Sequence, residues 1–186
     1  PFMSIQDSSF RFNPETARLR SVILGKVRQF FTNRNVLEVE TPSISRGSTT
    51  DCYLDVFTSM FHPDGFTQSR WSSPVYLITS PEFHMKRLLC EGFPDIFQIC
   101  KVFRNGEYGR NHNPEFTMVE WYRRDFSMDQ LIDEVAELCM VVLGEKPVVR
   151  KSYQQLFLET TGIDPLNTDA ETLQQYCSFR TEHVPE

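Results

Sequence analysis

One segment of this sequence combines an arginine, a carboxylate and several aromatic side chains. It extends from Phe103 to Tyr122 and reads FRNGEYGRNHNPEFTMVEWY. The pattern predicts a strand that ends near Arg104, a loop, and a returning strand whose side chains alternate between two faces. One face of the returning strand then holds Phe116, Met118, Glu120 and Tyr122. A guanidinium near an aromatic ring, a carboxylate and a phenol suits a site that binds a nucleotide base, a phosphate and an amine together.

This segment and a second one resemble a known family. The region around Arg104 resembles the second signature motif of class II aminoacyl-tRNA synthetases, in which an arginine follows a strand and the returning strand begins with proline, an acidic residue and phenylalanine. The stretches SPEFHMKRLL from Ser80 and HNPEFTMVEWYR from His112 are most similar to its lysine branch. Within that branch they resemble the elongation factor P beta-lysine ligases, which lack an anticodon-binding domain. The similarity extends from about Arg18 to Tyr153.

The resemblance implies three alternative functions. The first is ATP-dependent activation of lysine or beta-lysine as an adenylate, with transfer to a lysine side chain of elongation factor P. The second is the catalytic domain of a lysyl-tRNA synthetase that charges tRNA, and the third is a non-catalytic paralogue that binds or regulates. Fewer than about twenty residues precede the first predicted motif helix, too few for an anticodon-binding OB-fold barrel. The tRNA is therefore the less expected partner.

The resemblance assigns the ATP site to the predicted hairpin. Arg104 is the expected catalytic residue, because a planar guanidinium can bind a carboxylate and the α-phosphate at once. Catalysis would then be positioning and charge stabilisation, with no obligatory general base. Phe116 is expected to stack on adenine. The other ATP-binding candidates lie in the loop: Asn105, Gly106, Glu107, His112 and Asn113. His112 could equally brace that loop.

One position departs from the family pattern. The family has an acidic residue two positions after the motif arginine, where it binds the adenine amino group. Here that position is Gly106, and an acid follows at Glu107. Either the loop shifts so that Glu107 takes this role, or backbone groups hold the adenine.

The substrate site is assigned to residues from two predicted elements. They are Ser80, Pro81 and Glu82 at the start of a helix, and Glu120 and Tyr122 on the returning strand. A diamine that leaves water needs carboxylates to compensate its two positive charges. Glu82 on its own could instead be a favourable acid in the first helical turn. The resemblance favours substrate recognition.

The amino-terminal region 13–42 predicts a helix followed by a strand. Asn13, Pro14 and Glu15 form a helix start, and the strand is expected over residues 36–41, ended by Pro42. The order of helix, strand and proline resembles the family's first motif, which forms a dimer interface. A homodimer through region 13–42 is therefore expected, although the apolar stripe of the helix could equally pack on its own core.

The remaining patterns predict an α+β fold, with an antiparallel sheet flanked by helices. Strands are expected at 54–61, 75–79 and 96–104, and a helix at about 82–90. Capping boxes predict three further helices that begin after Ser127, Ser152 and Thr168. The fold implied by the resemblance is the class II synthetase catalytic domain.

Composition narrows the class of protein. A chain of 186 residues with 40% hydrophobic content can bury one core, so one catalytic domain over residues 1–186 is expected. The net charge of -6 argues against a large nucleic-acid surface. Five scattered cysteines indicate reduced, partly buried thiols. The sequence contains no membrane-length apolar run and no signal peptide pattern, which favours the cytoplasm and no membrane partner. A basic group could still face an anionic ligand: Lys101, Arg104, Arg110, Arg123 and Arg124.

The resemblance implies ATP and Mg2+ as cofactors. The family's third motif supplies an ATP-binding arginine and the acidic ligands of magnesium, and no such motif is recognisable before Glu186. We therefore expect no metal ligand within this chain, with the magnesium ligands beyond residue 186 in a roughly twofold longer protein. We expect this portion alone to be inactive as a ligase.

Overall fold

A computed structural model describes residues 13–63, 65 and 70–181, without the side chains of residues 178–181. The described helices and strands occur in the order α1 (Pro14–Thr32), β1 (Leu37–Glu38), β2 (Ile44–Ser45), β3 (Thr58–Phe61), β4 (Ser73–Leu77), α2 (Glu82–Cys90), β5 (Ile96–Phe103), β6 (Glu115–Tyr122), α3 (Met128–Leu143), α4 (Tyr153–Thr161) and α5 (Ala170–Thr181). The chain divides into two compact units, residues 1–145 and 146–186. The predicted α+β fold is confirmed.

Helix α1 begins as the sequence predicts. The Oδ1 atom of Asn13 accepts a hydrogen bond from the backbone N–H of Glu15 at 2.9 Å, and Pro14 occupies the first helical position. The predicted apolar stripe divides along the helix, because Phe30 and Phe31 are buried whereas Leu19 and Val22 are more than half exposed.

Two three-stranded sheets hold the first unit together. One has the order β1-β5-β6 and the other β2-β4-β3. The pairing of β3 with β4 and of β5 with β6 is antiparallel, as predicted, whereas β1 runs parallel to β5. The parallel pair arises because the chain passes through the second sheet and α2 before it returns.

The predicted strand at 36–41 is wrong in extent, since only Leu37 and Glu38 join the ladder and the chain turns away before Pro42. The predicted strand at 54–61 likewise begins only at Thr58. Before that point, Asp55 lies outside the strands and forms an isolated bridge to Asn105.

The core lies on one face of the β1-β5-β6 sheet, under α1 and α3. Phe31 from α1 stacks on Phe97 from β5, with ring centroids 4.7 Å apart, and lies 5.2 Å from the ring of Trp121. Leu138 from α3 completes this cluster. A second cluster under α2 contains the fully buried Met85. The face of the β1-β5-β6 sheet that points away from α1 and α3 carries polar side chains where α2 does not cover it, and this part of the sheet is available for a site.

A buried ion-pair network joins α3 to the sheet. Arg123 lies 3.1 Å from the carboxylate of Asp95 and 3.4 Å from that of Glu134, which also accepts a hydrogen bond from the indole of Trp121 at 3.0 Å. Arg123 therefore fixes α3 and does not join Arg104 in an anion-binding group, contrary to the sequence-based expectation. Lys101 is not part of an anion-binding group either, because it forms an exposed ion pair with Glu115.

Helix α3 begins with the predicted capping box. The Ser127 side chain accepts from the Gln130 backbone N–H, and the Gln130 side chain accepts from the Ser127 N–H. Among the five cysteines, Cys100 is partly buried. The prediction of partly buried thiols is wrong for the other four, which are exposed.

The second unit contains α4 and α5 joined by a hydrogen-bonded loop. Ser152 caps α4 as predicted, through the backbone N–H of Gln155. The predicted cap of α5 is one residue early, since Asp169, not Thr168, accepts from the Thr172 N–H at 2.8 Å. In the loop, hydrogen bonds from Asn167 and then Gln154 lower the pKa of Asp164.

Candidate active site

Two cavities in the first unit meet at a single side chain. The first cavity has a volume of about 540 Å³ and the second of about 640 Å³. Arg104 lines both of them. Ser80, Glu82 and Glu120 line the first cavity, and Phe116 lines the second. The structure therefore separates the predicted substrate residues from the predicted ATP residues and places the predicted catalytic residue between them.

The position of Arg104 is fixed by the hairpin. Its backbone N–H donates to the carbonyl of Pro114 at 2.9 Å, which continues the β5–β6 pairing by one residue. Its guanidinium carbon lies 5.2 Å from the centre of the Phe116 ring, and its Nη1 lies 3.6 Å from the carboxylate of Glu107. Its buried Nε has no hydrogen-bond partner among the described residues. A buried donor without an acceptor costs free energy, which an anionic ligand would recover.

A fixed carboxylate lies on the floor of the first cavity. Glu120 accepts one hydrogen bond from the Ser80 hydroxyl and another from the Tyr122 hydroxyl, both at 2.7 Å. Ser80 in turn accepts from the backbone N–H of Glu82 at 3.0 Å, so the start of α2 and strand β6 position each other. No basic side chain among the described residues pairs with Glu120. Its negative charge remains available to a cationic ligand.

The environment of Tyr122 keeps its hydroxyl protonated. Burial raises the pKa of Tyr122 well above its ordinary value, and the hydrogen bond to Glu120 raises that pKa further. The Tyr122 ring packs against the cluster around Met85, while its hydroxyl reaches Glu120. Tyr122 is thus placed to orient a carboxylate, and its hydroxyl does not line the cavity directly.

Besides Tyr122, two of the predicted residues lie outside both cavities, Pro81 and Asn105. Pro81 is fully buried beneath the start of α2, where its carbonyl accepts from the Met85 N–H at 2.9 Å. Asn105 is exposed, and its backbone N–H donates to the carbonyl of Asp55 at 2.9 Å. Glu82 does line the first cavity, but its side chain also forms an ion pair with Lys86 one helical turn later.

The loop between β5 and β6 lines the second cavity. Gly106 has a φ of +79°, a left-handed conformation that favours glycine over residues with a Cβ. Glu107 follows it into the cavity wall, together with His112 and Asn113. His112 also pairs with Gly109 through two backbone hydrogen bonds. A residue with a Cβ would be strained at position 106, and the replacement of the family's acidic residue by Glu107 stays a prediction.

Sequence reasoning missed two parts of the first cavity. The first is the loop from Ser45 to Asp51, and the second is the pair Phe83 and His84 on the first turn of α2. The run SRGSTTD carried a usable signal, because its small and hydroxylated side chains indicate a polar loop between two strands. Its approach to the cavity depends on the antiparallel pairing of β2 with β4.

Two kinds of feature are absent from the described residues, a cluster of metal ligands and a membrane-spanning helix. Within residues 13–63, 65 and 70–181, His, Cys, Asp and Glu side chains form no group of three or more that could bind a metal ion. The location of the magnesium ligands, expected beyond residue 186, stays a prediction. In the same part of the chain, no helix has the length and apolar character to span a bilayer.

We predict a pH-dependent effect of the substitution Tyr122→Phe. Because the pKa of Tyr122 is raised by folding, its hydroxyl stabilises the native state below the unfolded pKa of about 10, and this stabilisation is lost as the pH rises further. The substitution should lower the free energy of unfolding by about 1.5 kcal/mol at pH 7, the value of a hydrogen bond to a charged group. The difference should shrink above about pH 10. Urea denaturation at several pH values measures it, with Tyr108→Phe as the exposed control.

Comparison with known proteins identifies the family. Residues 7–169 match the family of class II tRNA synthetases (D, K and N). An elongation factor P–(R)-beta-lysine ligase of Haemophilus ducreyi is 48% identical over 159 residues, which cover 86% of this chain and 48% of that protein. The ligase of the same name from Pseudoalteromonas translucida is 49% identical over 160 residues, with 86% and 48% covered. The chain spans about half the length of these curated relatives. It belongs to the class II tRNA synthetase family.

Proposed function

We propose that this chain forms an amino-acid activation site of an ATP-dependent ligase, which makes an adenylate of lysine or beta-lysine and transfers the acyl group to a lysine side chain of elongation factor P. One observation carries the proposal. Arg104 lines a cavity that contains carboxylates and also a cavity that contains an aromatic ring and an amide. Activation of a cationic amino acid by ATP requires these two chemistries side by side.

The first cavity suits an amino acid with two ammonium groups. Glu120 is held by two hydroxyl donors and has no cationic partner among the described residues, so an ammonium group would neutralise it. Glu82 at the cavity wall offers a second carboxylate, in exchange for its exposed ion pair with Lys86. Such a surface pair is worth little, so its replacement costs little. The substrate carboxylate would then point toward Arg104.

The second cavity suits the nucleotide. Phe116 offers a ring face for adenine, and Asn113 and His112 offer side chains for ribose or phosphate. Arg104 would bind the α-phosphate and the substrate carboxylate together. A carboxylate oxygen attacks the α-phosphorus, the bond to the β-phosphate breaks, and pyrophosphate leaves. Arg104 lowers the barrier by neutralising the negative charge that gathers between the two anions.

The acceptor follows from the relatives and not from the geometry. Both relatives described above carry names that specify elongation factor P and (R)-beta-lysine. We propose the same acceptor for this protein, a single catalytic domain that includes residues 1–186, and action in the cytoplasm.

We also propose a homodimer through region 13–42. Leu19 and Val22 on α1 are 61% and 55% exposed, and Leu37 on the adjacent edge strand is 45% exposed. Apolar side chains that face water on neighbouring elements favour burial in a second copy.

The dimer predicts a specific effect of a charge on α1. Val22→Glu should shift the protein from dimer to monomer, because it would bury a carboxylate without a partner. Sedimentation velocity measures the shift. Leu166→Glu is the matched control, since Leu166 is 69% exposed and lies outside region 13–42. A monomeric starting protein, or a dimer that Val22→Glu leaves intact, would contradict this interface.

Arg104 provides the central test of the proposed function. In the full-length protein, Arg104→Ala should slow lysine-dependent or beta-lysine-dependent ATP–pyrophosphate exchange by a factor of about 100 or more, the usual effect of removing one charge-stabilising donor. Lys101→Ala is the control, because Lys101 is an exposed residue of the same strand that pairs with Glu115. Circular dichroism checks that the fold is retained. Exchange close to the unmodified rate would remove Arg104 from this role.

The acceptor is tested separately in the same full-length protein. Mass spectrometry of elongation factor P after incubation with ATP and each lysine isomer should show one added acyl group. Aminoacylated tRNA without modified elongation factor P would instead establish the tRNA-charging alternative.

Glu107 tests how the adenine is recognised. If its carboxylate accepts from the adenine amino group, Glu107→Gln should raise the KM for ATP about tenfold, since a hydrogen bond to a charged group is worth about 1.5 kcal/mol or more. Glu115→Gln serves as the control, because Glu115 is an exposed acid outside both cavities. An unchanged KM would show that backbone groups hold the adenine.

A further inference from the structure

The first cavity contains a histidine that the proposed activation step does not use. His84 is the third residue of α2 and lines the first cavity, which Arg104 also lines. It is partly buried. Within the described part of the chain, its imidazole has no side-chain hydrogen-bond partner. A proton acceptor therefore faces the space in which the activated carboxyl group would lie.

Transfer of the acyl group to a lysine amine requires a proton acceptor, whereas formation of the adenylate does not. A lysine side chain has an ordinary pKa near 10.4, so at pH 7 only about one molecule in 2,500 carries the nucleophilic amine. An acceptor that arrives as an ammonium ion must lose a proton before it attacks. Imidazole is the side chain whose ordinary pKa suits this proton transfer near neutral pH.

The other titratable groups of the cavity already have hydrogen-bond or ion-pair partners, and the proposed function assigns Glu82 and Glu120 to the ammonium groups of the substrate. Glu120 already accepts from two hydroxyls, and Glu82 pairs with Lys86. Asp51 accepts from the backbone N–H of Tyr53 at 2.9 Å. An arginine side chain offers hydrogen-bond donors and no proton acceptor.

We propose that His84 is the general base that deprotonates the acceptor lysine in the transfer step. This inference rests on the proposed function and extends it to the second half-reaction. The charged groups near it are Glu82, Lys86 and Arg87 on its own helix, and Asp51, Glu120 and Arg104 on the wall of the same cavity.

The step balances in atoms and charge. The acceptor ammonium gives one proton to the imidazole of His84 and becomes a neutral amine. The amine nitrogen attacks the acyl carbon of the adenylate, a carbon–nitrogen bond forms, and the carbon–oxygen bond to the phosphate breaks. AMP leaves with that bonding pair and takes the second proton of the attacking nitrogen. The products are an amide, AMP and an imidazolium that returns its proton to water.

The test separates the two half-reactions in the full-length protein. The enzyme is first loaded with adenylate from ATP and beta-lysine, and elongation factor P is then added in a single-turnover measurement. His84→Asn should slow transfer at pH 7 by about 100-fold, the lower range of general-base contributions, while ATP–pyrophosphate exchange stays within about twofold. The deficit should shrink toward pH 10, where solvent supplies the neutral amine.

Two controls and a rescue experiment make the assignment of His84 as the general base specific. Hydroxylamine is already unprotonated at neutral pH, so it should release the bound acyl group equally fast from both proteins. His62→Asn should leave transfer unchanged, because the imidazole of His62 forms a hydrogen bond with the Ser72 hydroxyl at 2.6 Å and lines neither cavity. Added imidazole should partly restore transfer in His84→Ala, which a purely structural role would not allow.

Each remaining outcome overturns the inference in a recognisable way. Equal losses in exchange, hydroxylamine release and transfer would show that His84 only supports the fold or binds the substrate. Unchanged transfer with an unchanged pH profile would show that another base acts. Absence of exchange in the unmodified protein would instead overturn the proposed function, and this inference with it.

Discussion

The register between β5 and β6 is the constraint on which the rest of the first unit depends. Phe97 lies opposite Trp121, and Gln98 lies opposite Glu120. Because neighbouring side chains point to opposite faces, a slip of one residue would bring Glu120 into the apolar core and expose Trp121. The packing of Phe31 against this core face therefore also determines which side chains face the cavities.

The same register brings two opposite charges, those of Glu120 and Arg104, to the wall of the first cavity. Glu120 is stabilised by neutral hydroxyls, which satisfy its oxygen atoms but leave its charge in place. Arg104 keeps a buried Nε without an acceptor among the described residues. Each of these groups costs free energy without an ionic partner, and a ligand with a positive and a negative end would recover that cost. The proposed binding of a cationic amino acid rests on this pair of charges.

Local rules predicted much of this fold from the sequence. The caps at Asn13 and Ser127 need only neighbouring residues, and the hairpin that carries Arg104 follows from a short alternating pattern. Features that depend on tertiary contacts escaped prediction. The burial of Pro81 could not be inferred, nor the ion pairs that Arg123 makes with Asp95 and with Glu134 of α3, because they depend on how separate elements pack together.

The candidate site shows the same division. Family resemblance supplied the residues of the hairpin and of the SPE segment, whereas the loop from Ser45 to Asp51 and the side chain of His84 enter the cavity only through packing. Composition marks such a loop as polar but cannot say which surface it meets. The position of His84 follows from the burial of Met85, which fixes the rotation of α2 about its axis.

Arg104 can serve two cavities because its resting contacts are weak. The 3.6 Å separation from Glu107 exceeds a normal hydrogen bond, and a quarter of its side chain meets solvent, which screens the attraction. Stacking on Phe116 at 5.2 Å adds only a modest cation–π term. The backbone of Arg104 is held at the end of β5, so its guanidinium lies between the two cavities. In the proposed function, the phosphate and the carboxylate would meet there.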